Sequence, residues 1–165
     1  RDRKRGGALL KRHAPAPRWL RRTLWVLLAG WMTVIFVFSA QPATESSALS
    51  GRATGFLAKL LGGELAQQLQ WLEFIVRKTA HFSEYGFLGV LAGGLLLAYG
   101  HPPRRQWIAL AGCAAYAVSD ELHQAFVPGR SPGLRDVCID SAGACAGILL
   151  VTAAVLVWRR LHARR

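Results

Sequence analysis

Cysteine is scarce in this sequence, and its spacing rules out one use of it. Cys113, Cys138 and Cys145 all fall in apolar runs, with no CxxC and no Cys/His pairing beside them. That excludes a cysteine-built zinc module and leaves three free thiols packed in helices. HExxH is missing as well. Acids are few: nine Asp/Glu stand against 21 Lys/Arg, for a net charge of +12. No small-residue cleavage site of the A-x-A kind follows the first apolar run, so that run is expected to remain as an anchor. The sequence starts at Arg1 rather than Met, as a truncated chain would. The inner halves of the apolar runs lack ionisable residues, which ranks a transport path below the other readings.

What is present is apolar residue in long blocks. The chain is 52% hydrophobic and its mean hydropathy is positive. Those values conflict with +12 for a soluble globule and agree for a small membrane protein with basic ends. Four spans are expected, at 23–40, 79–99, 107–126 and 137–158, giving an all-α integral membrane bundle. Each approaches the length needed for a ~30 Å hydrocarbon core at ~1.5 Å per residue. Between the first two, residues 46–76 show helical periodicity: Leu49, Ala53, Phe56, Leu57, Leu60 and Leu61, then Leu65, Leu69, Leu72 and Val76. Two amphipathic interfacial helices fit this, with Ser46 and Ser47 as caps and Gly62-Gly63 as the break. Asp136 is expected to cap the last helix. Its Gly143 and Gly147 are expected to pack closely within the bundle.

Charge sets the orientation. The tail 1–22, the 101–105 loop and the tail 159–165 hold fifteen of the 21 Lys/Arg. With four spans these lie on one side, which the positive-inside rule makes cytoplasmic. Both termini are then cytoplasmic, and the basic N-terminal tail needs no nucleic acid to explain it. Eight of the nine acids lie toward the other face.

That outer layer collects polar side chains from three helix ends. His81 and Glu84 are spaced i, i+3; Asp120 and His123 likewise, with Gln124 at i+4; Asp136 and Asp140 are i, i+4. Each pair can share a face. Two helix N-termini would point at the same layer and favour acids or an anionic ligand. Ionisable groups at a membrane helix centre cost ~2.5–3.5 kcal/mol each, so pairing or chemistry must keep them. Three readings stay open. One is a structural ion-pair network around Arg130, His81 and His123. Another is a hydrolase or transferase site, with His81, Glu84, Asp120, Glu121 and His123 as catalytic candidates and a divalent cation as a possible cofactor. The third is a site that binds a lipid head group or peptidoglycan precursor without turnover.

Three strings carry a resemblance. They are Arg77-Lys78-Thr79-Ala80-His81-Phe82-Ser83-Glu84-Tyr85, Ser119-Asp120-Glu121-Leu122-His123-Gln124-Ala125-Phe126-Val127-Pro128-Gly129-Arg130, and Arg135-Asp136-Val137-Cys138-Ile139-Asp140-Ser141-Ala142-Gly143. With Ser39-Ala40-Gln41 after the first apolar run, they make the chain resemble the VanZ-like bacterial membrane proteins over residues 25–157. The resemblance implies a multi-pass protein of the cell membrane, and site positions His81, Glu84, Tyr85, Asp120, Glu121, His123, Gln124, Arg130, Asp136 and Asp140. Of these, Tyr85, Gln124, Arg130, Asp136 and Asp140 are the ligand-binding candidates. It also implies a link to the cell envelope, since the founding member is associated with low-level resistance to the glycopeptide teicoplanin. Asp140 stands where many relatives have Asn, and the added charge favours a cation or Arg130 as its partner.

Overall fold

The structure, a computed structural model, describes residues 14–61 and 69–162, without the side chains of 49, 57–61, 69 and 70. The Gly62-Gly63 break, Leu65 and most of the basic N-terminal tail lie outside the described residues. Within them the chain is all helix. The elements are α1 (Arg18–Ser39), α2 (Ala43–Leu61), α3 (Leu69–Ala98), a short 3-10 turn (Pro103–Arg105), α4 (Gln106–Gln124) and α5 (Leu134–His162).

Among the described residues, three helices are long and apolar enough to cross a membrane: Arg18–Ser39, Trp71–Ala98 and Leu134–His162. The fourth expected span, α4, is not among them. At 19 residues it is ~28 Å long, and its last turns carry Asp120, Glu121, His123 and Gln124, which lower its hydropathy. Three of those four are buried inside the bundle.

The expected boundary at Thr79 is not a break. Neither Gly nor Pro occurs between Leu69 and Tyr85, so nothing ends the helix, and Leu72 and Val76 belong to the same rod as His81. His81 therefore sits about three turns inside α3, and no α3 N-terminus points at the polar layer. The other caps are displaced too. Ser46 and Ser47 lie within α2, which starts at Ala43, and Asp136 lies in the first turn of α5. On α2 the polar side turns inward: Thr54 is buried while Ala53 and Phe56 are exposed.

α3 and α5 run parallel and form the most extensive helix pair. Their backbones nearly touch. A Cβ on Gly89 would collide with the Ala144 carbonyl, one on Gly143 with that of Phe82, and one on Gly147 with that of Gly86. Gly143 and Gly147 thus serve packing inside the bundle. α1 runs antiparallel to α3. The Trp31 indole donates to the Glu84 carbonyl at 2.9 Å, and Trp25 donates to the Tyr99 hydroxyl at 3.1 Å. The core between them is Ile35, Tyr85, Leu88, Cys113, Ala117 and Ala144. These directions gather the basic start of α1, the Arg104-Arg105 turn and the basic end of α5 at one end of the bundle. The described acids gather toward the other.

Candidate functional site

At the acidic end, the α1–α2 corner and the 125–133 loop lean on each other. The Ala43 amide donates to the Pro128 carbonyl at 3.2 Å. Gly129 makes this possible with φ of 75°, a left-handed conformation that suits glycine. Arg130 follows directly. Its Nε donates to the Gln41 carbonyl and its Nη2 to the Phe38 carbonyl, both at 3.2 Å. The guanidinium thereby adds donors to carbonyls at the end of α1 and the corner after it; the Phe38 carbonyl also accepts from the Gln41 amide at 3.3 Å.

Behind this corner lies a half-open cavity of about 130 Å³. Ile35 and Ser39 of α1 line it, with Gln41 of the corner and Ser46 and Ser50 of α2. α3 contributes Arg77, His81 and Glu84, α4 contributes Asp120, and the loop contributes Arg130. Arg77, His81 and Glu84 follow i, i+4, i+7, one face of a helix. Arg77 is held by Ser47 Oγ at 2.8 Å and by Glu73 at 3.4 Å. Burial and the nearby Arg77 guanidinium pull the pKa of Arg130 down from its ordinary value. Two like charges therefore meet at one cavity, and an anion between them would relieve both.

Other candidates surround the cavity in supporting positions. Asp140 is fully buried, and its Oδ1 lies 3.4 Å from His81 Nδ1. Its neighbour is therefore the His81 imidazole, where a cation or Arg130 was expected. Asp120 Oδ2 accepts from Gln124 Nε2 at 3.3 Å. Tyr85 is fully buried beside Tyr116, ring centroids 6.2 Å apart. Asp136 is paired with Lys78, which ties α5 to α3. Glu121 is buried and accepts from the Gly133 amide at 2.8 Å, so it pins the loop. His123 stacks on Phe36 with centroids 4.5 Å apart and does not line the cavity. Sharing a face with Asp120 was not enough, because Phe36 of α1 captures the ring.

Arg77, Ser39, Gln41 and Ser50 were not among the candidates drawn from sequence. Arg77 was legible as the residue one turn before His81 on the same face. Ser39 and Gln41 sit in the Ser-x-Gln string already noted. For Ser50 no sequence signal stands out. Among the described residues, no group of three or more His, Cys, Asp or Glu side chains is arranged to hold a metal ion.

No curated protein and no solved structure matches the chain. A family model described as VanZ/LLP1 matches residues 24–157, a range that contains the whole cavity, all of α3 and α5 up to residue 157. The chain belongs to the VanZ/LLP1 family.

Proposed function

We propose that this is a four-span protein of the bacterial cell membrane, with cytoplasmic termini and an outward-facing cavity that binds a phosphate-type head group. The head group belongs to a lipid or a lipid-linked peptidoglycan precursor. The observation that carries this reading is the convergence of Arg77, Arg130 and His81 on one small cavity. Arginine is suited to phosphate because its planar fork presents several donors at once. The basic residues at the opposite end of the bundle support the orientation. The outward apolar side of α2, with Phe56 64% exposed, supports its lying in the membrane interface. α4 completes the fourth span because its polar turns are covered by neighbouring helices rather than lipid.

Glu121 and Asp136 belong to the frame in this reading, since each is engaged by another part of the chain, and Gln124 steadies Asp120 one turn earlier on α4. Enzymatic modification of the head group is a second reading, and the His81–Asp140 contact favours it. A carboxylate behind an imidazole orients the ring and stabilises its protonated form. Nδ1 faces Asp140, so Nε2 would be the nitrogen that takes or gives a proton in the cavity.

Family membership suggests the phenotype through which to test this. Arg77→Ala, Arg130→Ala and His81→Ala proteins, confirmed at normal abundance, are expected to lose any teicoplanin protection the parent confers. Unchanged susceptibility in all three would separate the cavity from that phenotype. Turnover of a phosphate-bearing precursor by the parent, abolished in His81→Ala, would favour the enzyme over the binder.

A further inference from the structure

The arginines speak to one end of a ligand, and the floor of the same cavity speaks to the other. Arg77 stands near the mouth, its side chain 32% exposed, and Arg130 is half-buried beside it. At the floor, Asp120 and Ser39 are each 4% exposed. Both line the cavity, the Ser39 hydroxyl lies against the Asp120 carboxylate, and Asp120 Oδ1 has no well-formed hydrogen bond. Glu84 also lines the cavity. A buried acceptor left unpartnered is costly, and a buried carboxylate more so. The hydroxyls of Ser39 and Tyr85 beside Asp120 are neutral donors, so what a ligand can add at the floor is a positively charged one. A primary ammonium has three N–H donors and no acceptor. It suits two carboxylates and a hydroxyl set around one small space. A hydroxyl head group would bring no positive charge to that floor, and a quaternary ammonium would bring no N–H.

We infer, resting on the head-group reading above, that the ligand is an amine-bearing phosphate ester. Its ammonium group lies against Asp120, Ser39 and Glu84, and its phosphate lies between Arg77 and Arg130. The cavity, about 130 Å³, takes the polar end only; whatever the ester is attached to stays outside. The two ends of the site discriminate independently. The arginines select for phosphate, and the floor selects among phosphates for those that carry an amine.

The full chain in phosphatidylcholine nanodiscs provides the test, by calorimetric titration with phosphorylethanolamine, ethyl phosphate and phosphorylcholine. Phosphorylethanolamine is expected to bind about tenfold tighter than the other two, the size of one charge-assisted hydrogen-bonded contact. In Asp120→Asn and, separately, Ser39→Ala, that ratio is expected to fall toward one. Thermal melts check that each variant is folded; should Asp120→Asn fail to fold, Ser39→Ala and the ligand series on the parent chain still decide. Equal binding of all three esters would overturn the amine assignment and leave the phosphate reading standing. Binding of none would overturn both. Repeating the titration in phosphatidylethanolamine nanodiscs identifies the source. Loss of binding there supports the assignment with a membrane lipid as occupant, and retained binding supports it with a soluble or precursor-borne ester.

Discussion

His81 Nδ1 lies 3.4 Å from Asp140 Oδ1, and Asp140 has no exposed surface. The contact joins α3 to α5 within the polar layer. Removing one partner of a buried pair leaves the other uncompensated, which costs ~3–5 kcal/mol. His81→Ala is therefore expected to destabilise the protein in detergent by an amount of that order. The double variant His81→Ala/Asp140→Ala should recover part of the loss, because it removes the stranded carboxylate. A double-mutant cycle on chemical denaturation curves measures this, and strictly additive losses would argue that the two groups do not interact.

The α3–α5 crossing predicts a difference between neighbouring glycines. Gly89→Ala would push a methyl into the Ala144 backbone, whereas a methyl at Gly94 meets only Val151 Cγ2 at 3.7 Å, an ordinary contact. Overpacking of the first kind costs roughly 1–3 kcal/mol. Gly89→Ala is expected to lower the melting temperature clearly and Gly94→Ala hardly at all. Differential scanning fluorimetry of the pair reads the contrast.

Arg130 uses two different nitrogens on two different carbonyls. Lysine keeps the charge but presents a single point donor. Arg130→Lys is expected to lose about 1 kcal/mol of stability, the size of one hydrogen bond, and to bind phosphate esters more weakly than the parent. Unfolding and titration on one preparation separate the two losses.

The proposed orientation is checked from outside the cell. Ser131 is exposed in the 125–133 loop. With the native cysteines replaced, Ser131→Cys is expected to react with a membrane-impermeant maleimide on intact cells. A fluorescent reporter fused after the last helix is expected to mature in the cytoplasm. Protection of Cys at 131 until lysis would invert the topology.

Most of the helical frame was legible in the sequence because apolar runs were punctuated by Pro, Gly and Arg. The Trp107 block begins after Pro102-Pro103, and α5 begins after Gly133. The continuity of α3 was harder to read, because Arg77-Lys78 looks like the edge of a span while nothing there stops a helix. Convergence of His81, Glu84, Asp120 and Arg130 followed from alternating helix directions. Side-chain partners drawn from distant segments did not. Phe36 takes His123 from another helix, and Asp140 turns to His81 across the α3–α5 crossing. Spacing within one segment records nothing of either event. The partners of Arg130 are backbone oxygens, which have no residue signature at all.

That last point bears on how the site can change over generations. Because Arg130 grips main-chain oxygens at 38 and 41, replacing the side chains at those positions removes neither acceptor. The clasp depends on the route the polypeptide takes around the corner. For the clasp alone, the letters there can change, provided that route is kept.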